Sequence, residues 1–436
     1  MNADHPAGVS AIELAAIVLV ASAALGWLNH RVIRMPHTIG MLVMALAASL
    51  GLIAIDAVFP WIGIAREAEA LLKNVDFAET LLKGMLAFLL FAGALHVDIT
   101  TFRKLQTPIL SMATAGVLIS TAVIGVALWW IAGMLGIHLP LAWALVFGAI
   151  ISPTDPIAVI SILKRVAVPK KLYATVEGES LFNDGMALIA FTVLVAFAVG
   201  RGTENFNITM LVGMFTIEAG GAILLGLLAG RIAVAAIKRT NETSIEVLIT
   251  LALVTGLYAL SSRLHVSGPI AVVVAGIFIG NRAPGLAMTE ESKKVLFGFW
   301  HVIDEILNSV LFLLIGAEVL LIGRDLSFLP LAAAAVPVMI FGRYASVAIP
   351  VALLSMEQKF ERGTITLLTW GGVRGGISVA LALNLPDSPY KATILGVTYA
   401  VVVFSVVIQG LTVRGVIERF VLKKDSPLDE GTPTDK

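Results

Sequence analysis

The stretch Glu177-Gly178-Glu179-Ser180-Leu181-Phe182-Asn183-Asp184-Gly185-Met186-Ala187 heads an apolar run that continues from Leu188 to Val199. Between Glu179 and Asp184, two acids, a hydroxyl and an amide fall within six residues of what otherwise reads as a bilayer-spanning helix. A carboxylate at that depth costs a few kcal/mol or more, so such residues line water-accessible cavities and move a proton or an ion. At helical spacing Glu177, Ser180 and Asp184 share one face, while Glu179 and Asn183 share the adjacent one. The stretch presents a cluster of oxygens, which suits a small hard cation and equally a proton.

Asp184 is the first candidate to carry both. Withdrawal from water favours the protonated form of a carboxyl group and a bound cation favours the ionised form, so proton and cation compete for one group. Competition at one site yields exchange. Asn183 beside it is neutral, and if one acid titrates per cycle, one proton trades for one monovalent cation. The structural alternative is that Asp184 caps a helix starting near Gly185. Thr154 and Asp155 could add a hydroxyl, a carbonyl and a carboxylate, or could cap a helix before Pro156, a favoured first-turn residue. Glu179 needs a partner. Two arginines, Arg343 and Arg374, sit within apolar segments, and either would form a buried pair that is costly to break. Asp304, Glu305 and Asn308 follow Lys293 and Lys294 within about three turns, as a cytoplasmic funnel or a solvated helix end would. Glu318 is expected at the outer surface or in a cavity. His96, His265 and His301 sit near segment ends, where a surface or interfacial position outweighs pH sensing.

Fifty-eight per cent of the 436 residues are hydrophobic and 14% charged, which specifies an all-α polytopic membrane protein and excludes a soluble multidomain enzyme. With zero cysteines, disulfides, thiolate metal sites and cysteine nucleophiles are excluded. Thirty basic residues balance thirty acidic ones, so there is no field for nucleic acid. Thirteen apolar segments can be drawn, at about 8–30, 36–57, 79–98, 107–136, 139–163, 173–200, 208–236, 244–263, 266–281, 296–322, 327–355, 363–384 and 391–417. The first lacks a basic amino-terminal region and reads as a retained span rather than a cleaved signal. Residues 1–422 form one transporter unit, with core helices about 79–200 and 296–384 and the remainder as scaffold, and 423–436 a disordered cytoplasmic tail. Alternate loops hold twenty basic residues against seven, which places the amino terminus outside and the carboxyl terminus in the cytoplasm.

Two segments are interrupted. The fifth breaks at Ser152-Pro153-Thr154-Asp155-Pro156, where two prolines remove helical donors. The twelfth breaks at Gly371-Gly372-Val373-Arg374-Gly375-Gly376. Seven segments apart, their helices run in opposite directions. An inverted repeat of spans 1–6 and 8–13 produces that arrangement, and paired broken helices point to a transporter's midplane site.

Pro153-Thr154-Asp155-Pro156, Glu179 to Gly185, Asp304-Glu305-Ile306-Leu307-Asn308 and Gly372-Val373-Arg374-Gly375 together resemble, over almost the whole chain and in the same order, the sodium/proton antiporters of the NhaP type, related to the animal sodium/hydrogen exchangers. The Asn183-Asp184 pair is the most specific element. The resemblance implies thirteen spans with a six-helix core crossing on the two broken helices, a dimerisation domain, and elevator-like alternating access. It implies that Asp184 binds the ion with help from Thr154, Ser180 and Asp155, so that sodium would sit at Asp184, Thr154 and Ser180. It further implies that Glu179 bridges to Arg343, and that exchange is electroneutral. One departure from the resemblance is that the long cytoplasmic regulatory tail of the animal members is lacking, so regulation by a tail-bound partner is not expected from it.

The resulting expectation is a secondary transporter, not an enzyme, in the cell membrane. It exchanges sodium or lithium for protons, without a cofactor, as a homodimer in the lipid bilayer. Potassium/proton exchange is the nearest alternative. An organic-anion carrier or channel would place Arg374 as ligand. An intramembrane aspartyl protease would need a Tyr-Asp and a Gly-x-Gly-Asp motif, and neither stands at Asp155 or Asp184.

Overall fold

The computed structural model describes residues 11–61, 63–64, 67–69, 84–163, 166, 168–200, 208–240, 242–320 and 327–421. Every regular element among them is helical. In chain order these are α1 (Ala11–Leu28), α2 (His37–Val58), α3 (Leu86–Leu95), α4 (Ile99–Met134), α5 (Leu141–Ile151), α6 (Ile157–Leu163) and α7 (Lys170–Ala198). There follow α8 (Ile208–Ile237), α9 (Thr243–Leu264), α10 (Gly268–Leu286), α11 (Glu290–Ala317), α12 (Leu329–Leu354), α13 (Thr364–Trp370), α14 (Gly376–Leu383) and α15 (Lys391–Val421). Among the described residues eight helices are long and apolar enough to cross a membrane, and α3 and α5 are shorter apolar helices. The tail expected from residue 423 lies outside the described residues.

Local chemistry sets several boundaries that apolar runs alone misplace. The fourth segment was expected to start near 107, yet α4 begins at Ile99 because the Asp98 carboxylate accepts hydrogen bonds from the backbone N–H groups of Thr100 and Thr101, at 2.9 and 3.3 Å. Arg103 and Lys104, counted as loop residues from the sequence, therefore sit on its first turns. Ser267 caps α10, with Pro269 in the first turn, and Thr289 caps α11.

The helices pack in two groups. In one, α4 lies against α5, α7 and α12, and α15 lies against α12 and α14. In the other, α10 lies against α3, α8 and α9, while α11 lies against α2, α3 and α1. Small residues allow the close approaches, as tight packing within a bilayer requires. A Cβ on Gly148 of α5 would collide with the Thr121 carbonyl of α4, and one on Gly280 of α10 with the Leu95 carbonyl of α3. By contact, α3 lies against α9 and α10, α11 against α9, and α15 against α12 to α14. Motif position along the chain marked which helices carry the site, but a site between two groups draws residues from both.

The two interrupted helices belong to the first group and cross on its face towards the second. α5 ends at Ile151 and α6 starts at Ile157; α13 ends at Trp370 and α14 starts at Gly376. Their unwound centres meet, the Asp155 N–H donating to the Val373 carbonyl at 2.7 Å.

Candidate functional site

The crossing frees backbone groups that a continuous helix would satisfy, and specific side chains take them up. Arg374 Nη1 donates to the carbonyls of Ser152 and Pro153, both at 3.2 Å, beside the open end of α5. Its own backbone N–H donates to Ser405 Oγ at 2.9 Å, and Ser405 in turn donates to Gln409 Oε1. Gly375 has no room for a Cβ because Asp155 occupies that space. The Asp155 carboxylate thus lies at the residue that precedes α14, where a negative charge complements the helix amino terminus.

Beside the crossing, α7 presents the two faces that its spacing predicts. On one, Glu179 and Asn183 are almost fully buried. Arg343 of α12 grips the Glu179 carboxylate with two parallel bonds, Nη1 to Oε1 at 2.8 Å and Nη2 to Oε2 at 2.7 Å, while its Nε donates to the Leu368 carbonyl at 2.9 Å. Asn183 Nδ2 donates to Glu179 Oε1 at 2.9 Å and to Thr154 Oγ1 at 2.7 Å. Thr154 Oγ1 and Ser180 Oγ lie 3.0 Å apart and share a hydrogen bond. The chain from Arg343 to Ser180 is continuous. Of the two arginines left open by the sequence, Arg343 holds Glu179, whereas Arg374 turns to the carbonyls of the crossing.

The other face of α7, with Glu177, Ser180 and Asp184, lines a cavity of about 730 Å³. Thr154 and Asp155, Asp304, Glu305 and Asn308 of α11, and Gly375 to Ser378 complete much of its wall. His96, His301 and Glu305 are exposed at this cavity, with His301 Nε2 3.6 Å from Glu305 Oε1. Deeper, Asn308 is buried and donates through Nδ2 to Asp304 Oδ1 at 3.1 Å. Asp184 itself is 8% exposed. The structure thus brings Asp184, Asp155, Thr154 and Ser180 to one cavity with the α11 triad, and leaves Glu179, Arg343 and Arg374 behind its wall. Among the described residues no group of three or more histidine, cysteine or acidic side chains is arranged to hold a metal ion.

Three positions differ from expectation. Glu318, expected at the outer surface or in a cavity, is 3% exposed. Short apolar flanks placed it near a segment end, but α2 packs over that end. His37 and Ser378, not singled out from the sequence, both line the cavity. His37 Nε2 lies 2.7 Å from Ser309 Oγ and so ties α2 to α11. Its place one residue after Pro36 marks a helix start, and Ser378 lies within one turn of the glycine break; those were the available signals.

Residues 17–419 match the transmembrane sodium/hydrogen exchanger family. The chain is 40% identical over 399 residues to the Na(+)/H(+) antiporter NhaP of Pseudomonas aeruginosa, covering 90% of this chain and 93% of that one. It is 31% identical over 368 residues to the Na(+)/H(+) antiporter NhaH of Halobacillus aidingensis, covering 82% and 87%. The sodium proton antiporter MjNhaP1 of Methanocaldococcus jannaschii superposes with a TM-score of 0.71 at 19% identity, covering 94% of this chain and 99% of that one.

Proposed function

The chain belongs to the sodium/hydrogen exchanger family, and from that premise we propose that it exchanges sodium for protons across the cell membrane, one for one, through competition at Asp184. The observation that carries this reading is the division of acids on α7. Glu179 has both oxygens bound by Arg343 and a further bond from Asn183, while Asp184 faces the cavity beside the Thr154 and Ser180 hydroxyls. Asp155 lies against the start of α14 and serves the crossing first, with a secondary role near the ion. Asn183 is neutral and already donates on two sides, so it adds no charge.

With the cavity open, deprotonated Asp184 takes a sodium ion, and oxygens of Thr154, Ser180 and the unwound backbone replace part of the ion's water. The neutralised site crosses the low-dielectric middle; the opposite opening exchanges the ion for a proton. An empty, charged carboxylate crosses poorly, which enforces coupling. Asp304, Glu305 and Asn308 form the cytoplasmic funnel, and their carboxylates concentrate cations at its mouth.

In this reading the thirteen segments are thirteen spans in an inverted repeat, with the amino terminus outside and the carboxyl terminus in the cytoplasm. The group α4–α7 with α12–α15 moves against the remaining helices, which also form the contact of a homodimer. Lithium is a second substrate and potassium the alternative one. The carrier reading, in which Arg374 binds an organic anion, is disfavoured because Arg374 is fully buried and engaged with the crossing carbonyls.

Purified protein in sealed liposomes provides the test, with internal pH followed as sodium, lithium or potassium is added outside. Sodium-dependent proton movement at a rate indifferent to an imposed membrane potential is expected. A rate that follows the potential would overturn the one-for-one stoichiometry, and potassium as the sole effective cation would replace sodium as substrate.

A further inference from the structure

Glu318 has no part in the exchange cycle above, yet it is an acid buried at the end of α11, 3% exposed. It opens the short turn Glu318–Leu320 at the end of α11. Among the described residues its Oε1 has no hydrogen-bond partner. A buried carboxylate oxygen left unpaired is expensive, and an acid retained only for packing would pair it. Buried acids in membrane proteins mark ion or proton pathways.

Its place along α11 is informative. Asp304 and Asn308 line the cavity on one side of Leu311. Leu311 to Ile315 then form an apolar plug, all buried, with the Leu311 side chain filling the space a Cβ would need on Gly376. At 1.5 Å per residue, Glu318 stands about 10 Å beyond Leu311 and about 21 Å beyond Asp304, on the closed side. Two further oxygens lie there. The Tyr399 hydroxyl of α15 donates to the Gly316 carbonyl at 3.5 Å, two residues before Glu318. Gly316 is wedged against α2, where a Cβ would strike Ala45 and the backbone of Leu42 and Leu46. Glu318 and Gly316 therefore belong to the α2–α11 group, and Tyr399 to the group of α12–α15. Relative movement of the two groups must part Tyr399 from Gly316.

We propose that Glu318, with the Gly316 carbonyl and the Tyr399 hydroxyl, forms a second site for a monovalent cation on the membrane side opposite the cavity. It is shut in this conformation and supplies the first protein oxygens a sodium ion meets when that side opens. The inference rests on the exchange reading. It makes the acid of the far side the counterpart of the Asp304 and Glu305 funnel, and it predicts an effect with a side.

Transport in membrane vesicles of both orientations tests this. Glu318→Gln should raise the KM for sodium presented at the far face by about fivefold or more, the equivalent of roughly 1 kcal/mol, and leave the KM at the cavity face within about twofold. Glu318→Asp, which keeps a carboxylate, should recover most of the loss. The cavity-face KM doubles as the folding control. Equal changes at both faces, or none at either, would overturn the second site. Absence of sodium-driven proton movement in the unsubstituted protein would overturn the exchange reading and this site with it.

Discussion

Asn183 joins Glu179 to Thr154 and carries no charge of its own. Its amide is the hinge between the ion pair and the hydroxyls, because it donates to Glu179 and to Thr154 at once. Asn183→Asp would set a second carboxylate against Glu179 and remove both donors. The expected outcome is a less stable protein with reduced transport, read as a lower melting temperature in detergent together with slower proton movement. Arg343→Ala is expected to be worse, since it strands Glu179 without its countercharge; breaking one partner of a buried pair costs about 3–5 kcal/mol. Glu179→Gln combined with Arg343→Gln should restore part of that stability, a comparison open to thermal melting. At the surface, Asp98 acts differently. Its bonds from the Thr101 and Thr100 side chains and the Thr100 N–H hold the carboxyl down at about 2, from an ordinary 3.8. A depressed value means that the cap's contribution is present above pH 3.8 and is lost as pH falls towards 2. Asp98→Ala should cost about 1 kcal/mol of stability at neutral pH and leave the sodium KM unchanged.

At the scale of elements, the candidate site is built on two helices that fail to continue. The breaks were legible because proline and glycine have local causes: Pro153 and Pro156 remove donors, and the glycines admit neighbours that a side chain would displace. Gly375 is the most demanding, since Asp155 fills the place of its Cβ. Gly375→Ala should force the crossing apart, with transport falling by at least tenfold while protein still inserts, a separation that flux measured per inserted molecule would reveal. The faces of α7 were legible for the same reason, since helical spacing alone puts Glu177, Ser180 and Asp184 together. What the sequence did not disclose arises from contacts between distant elements. The choice of Arg343 for Glu179 depends on how α12 lies against α7, whereas both arginines look alike in an apolar run. The partnership of Ser405 with Gln409 beneath Arg374 shows only as two polar residues one turn apart. Glu318 looked peripheral because burial by α2 is invisible in its own segment.

Across the whole molecule, the site lies where two groups of helices face each other. α7 meets α10 at one such contact, where a Cβ on Gly185 would come within 2.8 Å of Ile270 Cγ1. The sequence contains zero cysteines, so a single introduced pair has no competitor. Gly185→Cys with Ile270→Cys is placed for a disulfide. Oxidation should stop exchange and reductant should restore it; undiminished transport in the fully cross-linked protein would mean that the groups do not slide at this contact. Movement of that kind is useful only if the carried site is neutral when it crosses, and that requirement returns to one carboxylate. The most direct measurement is therefore sodium-driven proton movement by Asp184→Asn, reconstituted beside the unsubstituted protein and beside Asp184→Glu. The asparagine variant resembles a permanently protonated site, and it should be folded and silent at every sodium concentration, while glutamate should retain exchange with an altered KM. Sodium-driven proton movement that persists in Asp184→Asn would contradict the account, because the proton and the cation would then be meeting somewhere else.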